Sequence, residues 1–357
     1  MPSFHPVAGV TLHMIGGLAA ASFYLPYRKV RGWLWERTWL TGGFWSWMVA
    51  PWVFALVLVP AVAATLAEAP LKVLFWSWFF GMLWGIGGLT YGLTMRFLGL
   101  ALGNAVALGL CAFFGTVVPP LYYGTAGAML AEHSGRTVLI GLALSVAGIF
   151  ISGRAGVLKE REMAAAPAPR APRGEFNLWK GMMVAVICGL MSACMAFGFA
   201  AGTPIAQIAV HNGASNLWQN LPVLIVVLFG GFCTNAALCG VQIYRHRARK
   251  RDRLPAHGGE PGLEAHAAPA RLNHLLCAAA GLTWYLQFFF YGMGTTQLGR
   301  LNAASWPLHM ASIILFGTLW GITLREWKGT SRAARGWISA GLAVLVLSIA
   351  IIGFGNR

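Results

Sequence analysis

The amino-acid sequence predicts an all-α, polytopic membrane protein of ten transmembrane helices in two halves of five. Three observations carry that prediction: the composition, the spacing of the apolar runs, and the alternation of positive charge between successive connections. Of 357 residues, 57% are hydrophobic and only 10% charged, where a soluble globular domain carries about 25% charged residues. Mean hydropathy is +0.65. A chain with so few charges cannot cover itself in water, so its apolar surface must face lipid.

Ten apolar segments can be marked off, at roughly 7–25, 40–60, 73–95, 98–120, 137–153, 181–201, 217–243, 273–297, 302–324 and 336–354. Most approach the roughly 20 residues a helix needs to cross a hydrocarbon core. The formal net charge of +16 would point to nucleic acid in a soluble protein, but here it is a property of loops. Of the 26 Lys and Arg residues, 22 fall in alternate connections, and only Lys72, Arg136, Arg300 and Arg357 lie on the other side. Cytoplasmic loops collect Lys and Arg, so both termini are expected outside the cytoplasm. One missed helix would invert every later loop and destroy the split. The run YRHRARKRDR at 244–253 therefore reads as a cytoplasmic loop whose partner is anionic lipid, not nucleic acid.

Residues 163–175, MAAAPAPRAPRGE, read as an extended Pro/Ala-rich linker between a first half, 1–162, and a second half, 176–357. Within the second half the basic loop 244–271 reads as disordered. Cys111, Cys188, Cys194, Cys233, Cys239 and Cys277 sit in or beside apolar runs without CxxC spacing, the usage of small buried hydrophobes and not of disulfides or a zinc site. The sequence has no phosphate-binding loop, and neither a metal nor a cofactor is expected. The start, MPSFHPVAGV, lacks Lys or Arg before the first apolar run, unlike a cleaved secretory signal.

The stretch 84–103, WGIGGLTYGLTMRFLGLALG, carries more than a spanning helix requires. Gly81, Gly85, Gly88 and Gly92 recur at three and four residues, the spacing of a helix face that another helix can approach closely. Between segments three and four only a short turn around Arg96 remains, so a tight antiparallel hairpin is expected. Thr90, Tyr91, Thr94 and, across the turn, Asn104 are hydrogen-bonding groups that are costly in a bilayer unless they meet partners, a cavity or a ligand. Further along stand SGRAGVLKERE (152–162), FNLWKG (176–181), WYLQFFFYGMG (284–294), SWPLHM (305–310) and LREWKG (324–329). As a set, in order and from end to end, these stretches resemble the L-rhamnose-proton symporters of the drug/metabolite transporter superfamily.

That resemblance implies two inverted five-helix repeats, a location in the bacterial cytoplasmic membrane, and import of L-rhamnose or a related 6-deoxyhexose with a proton by alternating access. An odd number of helices per half fits it, because related halves then cross the membrane in opposite senses, a recurrent transporter architecture. Overall similarity between the halves is faint. One departure stands out: family members often carry an acidic residue shortly before the SW-x-L-H-M motif, where this chain has Asn302, Ala303 and Ala304. The alternative reading is a drug/metabolite-type carrier of another small solute, with different or no ion coupling; sodium is the weaker choice of ion.

For substrate contacts the residues offer Trp284, Gln287 and Tyr291 at i, i+3 and i+7 on one helix face. They add Gln219 and Asn220 at the start of segment seven, Trp306 in segment nine, and Tyr91 and Asn104 from the stretch above. Indoles pack on sugar C–H groups, and amides and phenols meet hydroxyls. No Asp or Glu falls inside a segment, so His309 and His13 are the interior groups able to load and release a proton near neutral pH. Pro119, Pro120, Pro222 and Pro307 are candidate helix breaks. An enzyme is not expected: Ser215 with His309 is the nearest nucleophile-base pair, and no oxyanion glycine pattern surrounds that serine.

Overall fold

The computed structural model describes residues 5–98, 100–122, 124, 126–165, 177–252, 270–299, 305–325 and 327–354. All regular structure among them is helical: α1 Pro6–Ser22, α2 Tyr24–Tyr27, α3 Trp35–Gly43, α4 Ala50–Leu58, α5 Val62–Glu68, α6 Leu71–Leu98, α7 Leu100–Tyr122, α8 Ala126–Ala131, α9 His133–Ala165, α10 Leu178–Ala201, α11 Thr203–His211, α12 Leu221–Asp252, α13 Ala270–Gln297, α14 Ser305–Thr323 and α15 Arg332–Phe354. In hydrocarbon every backbone amide and carbonyl needs an internal partner, which a helix supplies from its own segment. Nine described helical stretches are long and apolar enough to span a bilayer, and the shorter apolar helix Val106–Tyr122 falls where the fourth segment is expected. Ten spans result: α1–α2, α3–α4, α6, α7, α9, α10–α11, α12, α13, α14 and α15.

Several spans are interrupted, though not where proline alone points. Pro222 and Pro307 lie in the first turns of α12 and α14, where the missing amide hydrogen has no helical carbonyl to serve, so neither breaks a helix. The second span relaxes into a π-helical turn, Phe44–Val49, and Ala61 takes a left-handed φ of 51° between α4 and α5. The sixth span breaks at Gly202. Pro119 and Pro120 are the exception: they sit inside the last turn of α7. The basic run expected to be disordered is helical up to Asp252, as the end of α12; residues 253–269 and 166–176 lie outside the described residues.

Glycine sets how closely the helices meet. A methyl at Gly81 would collide with the Val227 carbonyl of α12, and one at Gly230 with the Trp78 carbonyl of α6, so the two backbones touch reciprocally. Gly85 abuts Thr234 of α12, and Gly87 abuts Ser192 of α10. A methyl at Gly88 or Gly92, expected on the same packing face, would meet no atom within 4 Å among the described residues. The face therefore turns at Gly87 to serve a second helix, α10. The expected hairpin is present, with Gly103 of α7 tucked against Met95 and the Thr94 carbonyl.

The packing has an internal regularity. The first span lies on the eighth and ninth, the third on the sixth and seventh, the fourth on the fifth and sixth, the fifth on the tenth, the second on the seventh and eighth, and the ninth on the tenth. Exchanging every span for the one five places along turns each of these pairings into another of them: first with eighth becomes sixth with third, and first with ninth becomes sixth with fourth.

The two ends of the bundle differ. At the end where most basic residues lie, Arg37 covers the Trp33 ring at 3.9 Å, Arg154 covers Trp337 at 4.5 Å and Lys159 covers Trp327 at 4.9 Å, cations snorkelling over interfacial aromatics. There too Glu162 of α9 accepts the Ser331 amide of the α15 N-terminus at 2.7 Å, and hydrogen bonds from Ser331 hold its carboxyl below the usual range. We call this the basic end and the other the terminal end. The reciprocal glycine contact is directly testable. Gly81→Ala is expected to destabilise the detergent-solubilised protein by about 1–3 kcal/mol, the cost of overpacking a tight contact, while Gly88→Ala leaves the melting midpoint unchanged. Equal melting of the two variants would contradict this packing.

Candidate functional site

A cavity of about 410 Å³ opens in the terminal third of the bundle, within the size range of small-molecule sites. Its wall is made by the end of α7 (Gly115, Thr116, Pro119), the α10–α11 break (Phe199, Thr203), the approach to α12 (Gln219, Asn220), the end of α13 (Tyr291, Thr295, Thr296) and the start of α14 (Trp306). Helix interruptions explain why polar groups gather here. Pro119 and Pro120 have no amide hydrogen for the carbonyls of Gly115 and Thr116 one turn earlier, which leaves backbone acceptors at the wall. The break at Gly202 brings the first turn of α11 into it.

Hydrogen bonds fix the polar side. Asn220 Nδ2 donates to the Gly292 carbonyl at 2.8 Å and to Thr295 Oγ1 at 3.0 Å. The Trp306 indole donates to the Cys111 carbonyl at 3.0 Å, and its ring lies over Gly115, where a methyl would collide with it. Tyr291 stands edge-on to Trp306 at 5.5 Å between ring centroids and to Phe199 at 5.1 Å. Aromatic faces, amides, hydroxyls and carbonyl acceptors together suit a ligand with several hydroxyls and an apolar edge.

Behind Tyr291 lie the two interior histidines. Tyr291 is 5.4 Å from His13 and 5.3 Å from His309, and the two imidazoles are 5.9 Å apart. Both are fully buried, at 0% and 1% exposure; among the described residues no hydrogen bond of ordinary geometry reaches a nitrogen of either ring, the backbone of His13 lying beside the His309 imidazole. Each ring rests on a glycine of a neighbouring helix. Gly294 of α13 lies under His13 and Gly16 of α1 under His309, and an added methyl would come within 2.8 Å and 3.0 Å of the respective ring. Tyr291 is thus a partition, with the cavity on one side and the imidazole pair on the other.

The other candidate residues are distributed differently. Gln219, Asn220, Tyr291 and Trp306 line the cavity. Gln287 is buried one turn deeper on α13 and is not part of the wall. Trp284 is two turns below Tyr291, in an aromatic plug with Phe23 (4.4 Å), Trp39 (4.8 Å) and Trp47 (5.5 Å). Tyr91 is half-buried on α6 toward the basic end. Asn104 belongs to α7, but its side chain lies outside the described residues, as does Asn302. The spacing of Trp284, Gln287 and Tyr291 correctly puts them on one face. That face runs most of the length of the bundle, and only its upper end meets the cavity.

Below the cavity the bundle is closed. Trp39 donates to Asn235 Oδ1 at 2.9 Å, and Asn273 exchanges two hydrogen bonds with the backbone of Arg31, at 2.8 Å and 3.3 Å. Glu36 meets His246 at 3.5 Å. This last contact escapes a hydropathy reading: α3 begins at Trp35, five residues before the apolar segment, and carries the buried Glu36 in its first turn. Among the described residues no cluster of His, Cys, Asp and Glu is placed to hold a metal.

Comparison with known proteins decides the class. The family model described as L-rhamnose-proton symport protein matches residues 4–357. The chain belongs to that family. Similar proteins include the L-rhamnose-proton symporters of Cronobacter sakazakii (strain ATCC BAA-894), 37% identical over 350 residues, and of Salmonella paratyphi A (strain ATCC 9150 / SARB42), 36% identical over 352 residues. That of Enterobacter sp. (strain 638) is 35% identical over 352 residues. Each alignment covers 97% of both chains. The family is one of multi-pass membrane carriers and not of enzymes.

Unpaired imidazoles in an apolar bundle should weaken the fold. Replacing His13 or His309 by Leu removes a buried polar group left without partners, which costs about 1–3 kcal/mol. Each variant is expected to melt higher in detergent than the parent chain. A lower melting midpoint for both would mean that the rings are held by partners and contribute to stability.

Proposed function

We propose that this chain imports L-rhamnose, or a closely related 6-deoxyhexose, together with a proton, by alternating access across a bacterial cytoplasmic membrane. The observation that carries the reading is the shared partition: Tyr291 and Trp306 line the cavity, and Tyr291 also touches both imidazoles. The related L-rhamnose-proton symporters support the sugar and the ion. Sugar hydroxyls find donors and acceptors in Gln219, Asn220, Thr295, Thr296 and the Gly115 and Thr116 carbonyls, and the 6-methyl edge finds Phe199 and Trp306. The proton goes to His309 and His13, since histidine is the side chain that titrates near neutral pH. Sodium is disfavoured because the wall carries no carboxylate among the described residues.

Ligand and proton stabilise each other's bound state if one partition must be in one position for both. In this cycle a proton entering from the terminal end charges the imidazole pair and the sugar fills the cavity. The two halves, 1–162 and 176–357, then rock about the cavity while the linker 163–175 keeps them joined. Positive charge concentrated at one end puts that end in the cytoplasm and both termini outside.

Two measurements check the reading. His309→Gln is expected to abolish accumulation of labelled L-rhamnose driven by a pH gradient, with downhill exchange of preloaded sugar retained; His13→Gln has a milder effect. Accumulation that keeps its pH response in both variants would remove the histidines from coupling. For orientation, a reporter active only outside the cytoplasm is expected to be active after Arg357 and silent within residues 253–269, and the reverse pattern would invert the topology.

A further inference from the structure

The exchange of halves holds at the level of single contacts. A methyl at Gly17 would collide with Ser312 and crowd the Ile313 amide, and one at Gly189 would meet Leu110 and the Cys111 amide in the same way. Leu298 presses on Gly9 as Leu98 presses on Gly181. The Gln287 carbonyl lies over Gly16, and the Cys188 thiol donates to the Gly87 carbonyl at 3.5 Å. These contacts fix a register of 172 residues between the first and sixth spans, 200 between the third and eighth, and 202 between the fourth and ninth. In that register the sequence repeats. Gly81, Trp84, Tyr91, Gly92 and Leu98 recur as Gly281, Trp284, Tyr291, Gly292 and Leu298, and Phe114-Gly115-Thr116 recurs as Phe316-Gly317-Thr318.

What repeats includes the cavity wall. Gly115, Thr116, Phe199 and Tyr291 line the present cavity, and their counterparts are Gly317, Thr318, Tyr27 and Tyr91, all toward the basic end. We propose that these four residues form a second sugar site, opening at the basic end as the present cavity closes and taking the same class of ligand, a 6-deoxyhexose. The proposal rests on the transport reading above, and two features of the present state support it. Among the described residues the buried Tyr27 hydroxyl has no hydrogen-bond partner, a donor whose partner is supplied when the basic end opens. Among the described residues no atom stands within 4 Å of a side chain begun at Gly317, whereas its counterpart Gly115 is covered by Trp306; the equivalent closure around Gly317 belongs to the other state.

The exchange fails at the imidazoles, and that failure gives the site its direction; in the same registers Trp306 falls on Asn104, and Thr295 and Thr296 on Met95 and Arg96, so the second site keeps only part of the present wall. His13 falls on Ala185 and His309 on Ala107. The second site keeps the tyrosine and lacks the imidazoles, so a proton bound behind Tyr291 has no equivalent seat behind Tyr91 and leaves to water at the basic end. Among the described residues the titratable groups that act on Tyr91 are Cys188 and Cys111, thiols that stay protonated at neutral pH.

Thiol labelling tests the geometry independently of the sugar. In membrane vesicles of each orientation, Thr318→Cys is expected to react with a membrane-impermeant maleimide from the basic side only, and Thr116→Cys from the terminal side only. The parent chain sets the background, five of its six cysteines being buried. Failure of Thr318→Cys to react from the basic side overturns the second site even if L-rhamnose proves not to be the substrate. Kinetics test the ligand. Tyr91→Phe is expected to raise the half-saturating L-rhamnose concentration at the basic face by about fivefold to tenfold, the loss of one hydrogen bond, with less than about twofold change at the terminal face, and Tyr291→Phe does the opposite. Equal shifts at both faces for Tyr91→Phe overturn the proposal. A parent chain that carries no L-rhamnose refutes the transport reading, and the labelling still decides the second site.

Discussion

Two imidazoles without hydrogen-bond partners, buried together in a membrane bundle, are the constraint on which the rest of this structure turns. A polar group in hydrocarbon is retained only where it finds a partner, a cavity or a task. His13 and His309 have no partner among the described residues, and a cavity wall lies one tyrosine away. Holding them takes three helices at short range, and glycine makes that range possible. Gly294 and Gly16 give each ring the volume of a missing side chain, and Gly17 lets α1 press on α14 at Ser312. Larger residues there would push the helices apart and admit lipid or water to the rings.

Around that pair the helices are discontinuous at the cavity and continuous where the bundle is shut. The two prolines of α7, the break at Gly202 and the loop before α12 all face the same space. Each exposes backbone or short polar side chains that an unbroken apolar helix would hide. Irregular backbone is tolerated at membrane depth only where it lines a cavity or is buried in protein, so the interruptions and the cavity account for one another. Toward the basic end the aromatic plug of Trp39, Trp47, Trp84 and Trp284 and the amide clasps of Asn235 and Asn273 keep the opposite path closed.

Much of this was legible in the sequence. Helix count and the interior histidines follow from hydropathy, charge alternation and the scarcity of acids, which are averages over long stretches and survive local irregularity. Depth did not follow. Gln287 and Trp284 share a face with Tyr291, yet helical periodicity carries no information on where along a 28-residue helix the cavity ends. Gly88 and Gly92 fit a packing stripe by spacing, but α6 serves two partners and the stripe turns at Gly87. Glu36 was hidden because the second helix starts before its apolar segment. The internal repeat was present all along in Trp84–Tyr91–Gly92 and Trp284–Tyr291–Gly292. It is faint because few positions are shared, some held by backbone contact, such as Gly81, and some in the wall or the plug, such as Tyr291 and Trp284, among many that differ.

The central claim is that sugar and proton move together through one partition. Proteoliposomes in a lightly buffered medium, with a permeant counter-ion to dissipate charge, test it most directly: L-rhamnose is added outside and external pH is recorded. The account predicts an immediate alkalinisation of the medium that depends on the sugar and disappears with a protonophore. Uptake of L-rhamnose with no change in external pH would contradict it.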